Sequence, residues 1–182
     1  MGNTLLAPHR VRSATGLPEP VPSGDFSALT PDDSAYRALT DFNREYPITE
    51  PAGCTIDDAL NDMTRLGVHA LVVTKPQPEG ADQQVVGLLT SSDIQHLRSH
   101  PAKEKVRIED VMTSWDELPL VKYESLQELT ALELYRMFQG TGLTHLLVIE
   151  DHGSEAALAR GLISRASLAM RLDQPVAPIR PL

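Results

Sequence analysis

Cysteine is nearly missing: Cys54 is the single one in 182 residues, so neither an intramolecular disulfide nor a multi-cysteine metal cluster can form. Long apolar runs are also missing. No stretch approaches the ~20 residues a membrane span needs, and the N-terminus has no apolar signal region, so a soluble, cytoplasmic protein without membrane insertion is expected. Basic charge is scarce, with 16 Lys and Arg against 25 Asp and Glu, a net charge of −9 and a pI near 5.0. Without a basic stripe, nucleic acid and anionic membrane surfaces are poor partners. An anionic ligand would need a local site built from helix ends and a few Arg or His side chains. The six histidines offer no i,i+4 pair beside an acid, and the His96/His100 pair is interrupted by Pro101, so no metal site is expected. No Walker loop or nucleophile–base set is present, and the hydroxyls of Thr90-Ser91-Ser92-Asp93 have no neighbouring base. No catalytic residue, and hence no enzyme, is expected.

With 41% hydrophobic residues, the chain can bury one ordinary core or two small ones. Residues 1–29 are rich in Pro, Gly and Ser without periodicity and read as a disordered arm. Thr30-Pro31-Asp32-Asp33 predicts a helix start, with Tyr36, Leu39 and Phe42 on one face. An extended segment at Tyr46–Thr49 follows. Thr55 to Asp58 caps a helix with a core face of Ile56, Ala59, Leu60, Met63 and Leu66, closed by Gly67. Val68–Thr74 is a buried strand, 75–84 a polar loop and Val85–Leu89 a second strand, leading into a helix through about Arg98.

The order then recurs. After a linker at 99–107 come a helical lead at Ile108–Met112, an extended Leu118–Val121, and a helix from Ser125 carrying Leu129, Leu132 and Met137 and ended by Gly140 and Gly142. Strands at Leu143–Ile149 and Ala159–Ile163, a loop at 151–154 between them, and a helix at Ser164–Leu172 complete it. Pro175, Pro178 and Pro181 keep the tail, 174–182, non-helical. The expected domains are thus 30–107, holding the first helix and the first β-α-β-β-α repeat, and 108–173, the second repeat.

The chemistry is concentrated at Val85-Val86-Gly87-Leu88-Leu89-Thr90-Ser91-Ser92-Asp93. A strand that ends on a hydroxyl, with a carboxylate one turn on, presents backbone N–H groups, an alcohol and an acceptor together. Those groups suit a phosphate and a sugar diol; the same pattern also opens ordinary helices. It occurs twice, since Gly161-Leu162-Ile163-Ser164-Arg165-Ala166-Ser167 repeats it with Ser167 in place of the acid.

On the run Ala59–Val73, on Gly87 to Asp93, on Glu109-Asp110-Val111-Met112-Thr113, on Leu143–Ile149 and on Gly161–Leu168, the chain resembles a tandem pair of cystathionine-β-synthase (CBS) domains, a Bateman module. It departs from the family in having Val72 and Leu147 where a proline is usual. The resemblance implies an α/β (α+β) fold of two repeats packed with pseudo-two-fold symmetry. It also implies a regulatory adenine nucleotide (AMP, ADP or ATP) or adenosyl compound in the cleft between them, with no obligatory cofactor. Carried over by position, one site takes Thr90, Ser92, Asp93, Thr113, Pro119, Leu143, Thr144 and His145. Asp93 would accept the ribose hydroxyls, Thr90, Ser92 and Thr113 would meet phosphate, and Pro119 and Leu143 would sandwich the purine. The mirror site would use Ser164, Ala166, Ser167, Tyr46, Pro47, Val68 and His69, with Arg165 nearby. Its Ser167, and Asp41-Phe42-Asn43 set against Val111-Met112-Thr113, predict one competent site per chain. A homodimer and an unidentified regulated enzyme or transporter are the implied partners. The alternative is a degenerate pair acting as a ligand-free scaffold.

Overall fold

The computed structural model describes residues 10–11, 27–76, 83–97, 104–150 and 157–174. Most of the expected arm, the middle of the 75–84 loop, the helix end at Arg98, most of the following linker, the loop at 151–154 and nearly all of the tail lie outside the described residues. Within these limits the strands are β1 Arg10–Val11, β2 Thr40–Asp41, β3 Thr49–Pro51, β4 Ala70–Lys75, β5 Gln83–Thr90, β6 Thr113–Ser114, β7 Leu120–Lys122, β8 His145–Glu150 and β9 Leu158–Ser164. The helices are α1 Ile56–Leu66, α2 Ser125–Glu128, α3 Ala131–Phe138 and α4 Arg165–Arg171, with short 3-10 turns between. The chain is a mixed α/β protein that divides into two compact units. One is built mainly on residues 47–118, the other on 27–46, 119–150 and 159–174.

In the first unit β3 runs parallel to β4, β5 is antiparallel to β4 with an irregularity after Val73, and β6 lies antiparallel to β5. β1 pairs with the start of β5. Helix α1 forms as its sequence dictates. Thr55 and Asp58 make a reciprocal capping box, and Gly67 ends the helix at φ 67°, a left-handed conformation that favours glycine. Its Ile56, Ala59 and Met63 are buried with Leu71, Val73, Leu89, Ile94 and Ile108.

The second unit repeats this plan with β7 parallel to β8, β9 beside β8, and β2 antiparallel to β9. Its core gathers Leu126, Leu134, Phe138, Ile163 and Leu168 together with Leu29 and Ala35 from the start of the chain. Spatial units and sequence repeats are therefore offset. The lead at 27–41 closes the second unit, and the lead at 104–114 closes the first.

Three local expectations are corrected. The helix from Thr30 is only a 3-10 turn at Ala35–Ala38 capped by Ser34, followed by a strand. The carbonyls of Pro31 and Asp33, which an α-helix would use internally, accept instead from the N–H groups of Leu132 and Ala131 at 3.2 and 2.7 Å. The helix from Ser125 breaks at Leu129, which is extended at ψ 146°, and restarts at Thr130, whose box with Glu133 matches that of Thr55 and Asp58. Met137 then faces solvent, 45% exposed, while Leu134 and Phe138 are buried. The helix after β5 is four turn residues and a 3-10 turn at Gln95–Leu97.

Candidate functional site

In the first unit the corner at the end of β5 is fixed from three sides. Thr90 is buried, and its N–H and hydroxyl both reach Asp93 Oδ2, at 2.7 and 2.8 Å. The Asp93 N–H returns to Thr90 O at 3.1 Å, and the Ser91 N–H donates to His69 O at 2.9 Å. Strand β6 crosses over Gly87, placing Ser114 opposite Gly87 and Thr113 opposite Leu88. A Cβ at position 87 would lie 2.5 Å from Thr113 O and 2.8 Å from Met112 Sδ, so glycine is what admits the lead strand here.

The four first-unit candidates therefore fall on one corner. Thr90 and one oxygen of Asp93 are spent on each other, which is the ordinary capping role. Among the described residues, Asp93 Oδ1 and the hydroxyls of Ser92 and Thr113 make no hydrogen bond. One acceptor and two alcohols at a half-buried corner are the groups a ribose and a phosphate would engage.

The other four candidates belong to the second unit. Pro119 and Leu143 are half-buried, and His145 is buried with Nδ1 hydrogen-bonded to Thr144 Oγ1 at 3.0 Å. Thr144 O accepts from the Arg165 N–H at 2.9 Å, the counterpart of the bond between His69 and Ser91. Ser164 caps α4 by accepting the Ser167 N–H at 3.4 Å.

The register of β2 corrects the reading of the mirror corner. Thr40 lies opposite Leu162 and Asp41 opposite Gly161, as Thr113 and Ser114 lie opposite Leu88 and Gly87. The segment equivalent to Met112-Thr113-Ser114 is thus Leu39-Thr40-Asp41, not the three residues from Asp41 on. A threonine is present in both leads, so Ser167 for Asp93 is the one remaining defect of the two on which a single competent site was predicted. The two leads share an apolar residue, a threonine and a short polar residue, a pattern that becomes a register only through pairing with the remote glycine-bearing strands.

Asp41 has a separate task. It is 5% exposed and holds Arg160, itself 9% exposed, at 3.1 Å, and accepts from the Tyr36 hydroxyl at 3.3 Å and the Asn43 N–H at 2.8 Å. The guanidinium lies 4.7 Å from the centre of the Tyr123 ring and 3.6 Å from Glu150. Burial opposes its charge, but Tyr123, Asp41 and Glu150 together hold its pKa above the ordinary value. The first-unit counterparts are Ser114 and Val86, so this ionic cluster belongs to one unit only.

A family model described as the CBS domain matches residues 39–100, which include the α1 cap, β4, β5 and the corner at Thr90. Over that third of the chain it is similar to a CBS domain. The mitochondrial CBS domain-containing protein CBSX3 of Arabidopsis thaliana is 29% identical over 116 residues, 62% of this chain and 52% of that protein. The chain thus spans about half the length of the curated relative it matches. The CBS domain of a bacterial CNNM/CorC family Mg2+ transporter, solved in complex with ATP, has a TM-score of 0.56 at 10% identity, covering 80% of this chain and 91% of that one. A conserved protein from Pyrococcus horikoshii reaches 0.56 at 18% identity, with 82% and 99% covered. At these identities the structures establish a CBS-like fold for most of the chain.

Proposed function

We propose that the chain is a regulatory, non-catalytic module, that its second unit is a second CBS repeat, and that it responds to an adenine nucleotide of the AMP, ADP or ATP class. In this reading Asp93 grips the ribose, and Ser92 and Thr113 meet phosphate beside Thr90. Occupancy is passed to a regulated partner or to a dimer of the chain. The observation that carries the proposal is the corner itself, where Asp93 Oδ1 and two hydroxyls are left over after the local capping bonds are made. The complex of the transporter's CBS domain with ATP supports the ligand class.

Calorimetric titration with AMP, ADP, ATP and S-adenosylmethionine tests it. At 100 times its dissociation constant a true ligand stabilises by about 2.7 kcal/mol, so a melting shift should accompany the heat. In Asp93→Asn an acceptor for the Thr90 amide remains but the charge is gone. Losing charge-assisted bonds of about 1.5–3 kcal/mol should weaken the nucleotide 10- to 100-fold with little change in melting of the unliganded protein. Equal affinity in both proteins, or no heat with any of the four compounds, overturns the proposal. The second outcome leaves the scaffold reading, which the engagement of Asp93 Oδ2 in capping favours.

A further inference from the structure

We propose that Ser27 is a phosphorylation site, and that its phosphoryl group, gripped by Arg37 and Arg171, fastens the lead at 27–41 to the end of α4. Ser27 is exposed at the start of the lead, and Arg37 Nη2 donates to its hydroxyl at 2.8 Å. From the last residue of α4, Arg171 donates through Nε to Ser27 O at 3.0 Å and through Nη1 to Arg37 O at 2.7 Å. Arg171 is buried, and its own carbonyl accepts the Leu29 N–H at 2.8 Å. Two guanidinium groups therefore meet at one serine, one on its hydroxyl and one on its carbonyl. The hydroxyl offers a single neutral oxygen to this pair of cations. A phosphoryl ester there offers three oxygens and a charge of about −1.5 to −2.

The transfer needs an accessible hydroxyl and a protein kinase carrying a nucleoside triphosphate. The Ser27 oxygen attacks the terminal phosphorus as the bond to the leaving nucleoside diphosphate breaks, and the hydroxyl proton passes to a base of the kinase. Two local features oppose the added charge. Asp33 holds Arg37 Nη1 at 2.7 Å, but its Oδ2 also accepts the Thr30 N–H at 2.7 Å, so it keeps a partner when Arg37 turns to the phosphate. The C-terminal end of α4 is the other, and a helix end carries only about half a negative charge against two full positive charges from the arginines. Charge-assisted, bidentate bonds to phosphate then replace a single bond to a hydroxyl. Arg37 lies in the 3-10 turn at Ala35–Ala38, and β2 follows directly after Leu39. A fastened lead therefore also steadies the strand that brings Thr40 to the mirror corner.

The full chain carrying phosphoserine at position 27, set beside the unmodified chain, with Arg37→Gln made in both, decides the matter. Followed by its phosphorus-31 resonance, the phosphate should titrate about half a unit or more below its ordinary value of about 6, because the two cations favour the dianion. Arg37→Gln should return it toward that value. Phosphorylation should raise the melting temperature by several degrees in the wild type and by much less in Arg37→Gln, a comparison in which the lost Asp33 pairing cancels. Mass spectrometry of the chain isolated from its own cells should find phosphate on the peptide that holds Ser27. A midpoint at about 6 with unchanged melting, an equal rise in both backgrounds, or a Ser27 peptide never modified in growing or starved cells overturns the proposal.

Discussion

Replacing Asp41 by alanine should destabilise the second unit by about 3–5 kcal/mol, because it strands Arg160, a guanidinium 9% exposed, without its closest counter-charge. For a chain of this size that is a melting temperature about 6–20 °C lower. Glu150 at 3.6 Å and the Tyr123 ring recover only part of the loss, since burial opposes the charge whichever partner remains. The sharper test is the double variant Asp41→Ser with Arg160→Val, which installs the pair used at the matching positions of the first unit, Ser114 and Val86. Removing both charges together should restore most of the stability, because a buried ion pair contributes little net over an apolar replacement. Urea unfolding of the two variants measures both effects. A single variant within about 1 kcal/mol of wild type would show that the cluster is solvated and structurally minor.

The second large effect is expected at Gly87. In Gly87→Ala the new methyl meets Thr113 O at 2.5 Å and Met112 Sδ at 2.8 Å. The methionine can swing aside; the carbonyl belongs to strand β6 and cannot move without breaking its pairing with Gly87 and Leu88. Overpacking of this kind costs about 1–3 kcal/mol, and a backbone neighbour puts it at the upper end. Because Thr113 moves with β6, affinity for the proposed nucleotide should fall along with stability. Gly161→Ala should do the same to β2, where Thr40 O and Leu39 stand even closer. Gly142→Ala is the control: nothing lies within 4 Å of its Cβ and its melting should match wild type within about 0.5 kcal/mol. A Gly87→Ala protein as stable as this control would falsify the close approach of the lead strand.

Helix α1 was legible in the sequence, apart from Leu66, which is 43% exposed instead of lying on the core face, because its signals are local: a capping box, an apolar face and a terminal glycine lie within 13 residues from Thr55 to Gly67. Strands β4, β5, β8 and β9 were legible from their apolar runs. What could not be read were elements whose partners are remote. Strands β2 and β6 have two residues each and exist because β9 and β5 offer an open edge beside a glycine. The 27–41 segment forgoes its helix because α3 takes the carbonyls it would have used. In the same way the Thr40 register was invisible, and with it the threonine of the mirror corner. The corner at Thr90 was recognisable as residues, but the division of labour at Asp93, one oxygen for the cap and one left over, is a matter of geometry.

The crossed leads impose an order on synthesis. A ribosome that has released residue 118 has supplied the main body of the first unit, whereas Leu29, Ala35 and Leu39 must wait for Leu126, Leu134 and Ile163 before they have anything to pack against. This early stretch is thus among the last to find its place, and a nascent chain halted midway carries those apolar side chains without the core that normally encloses them.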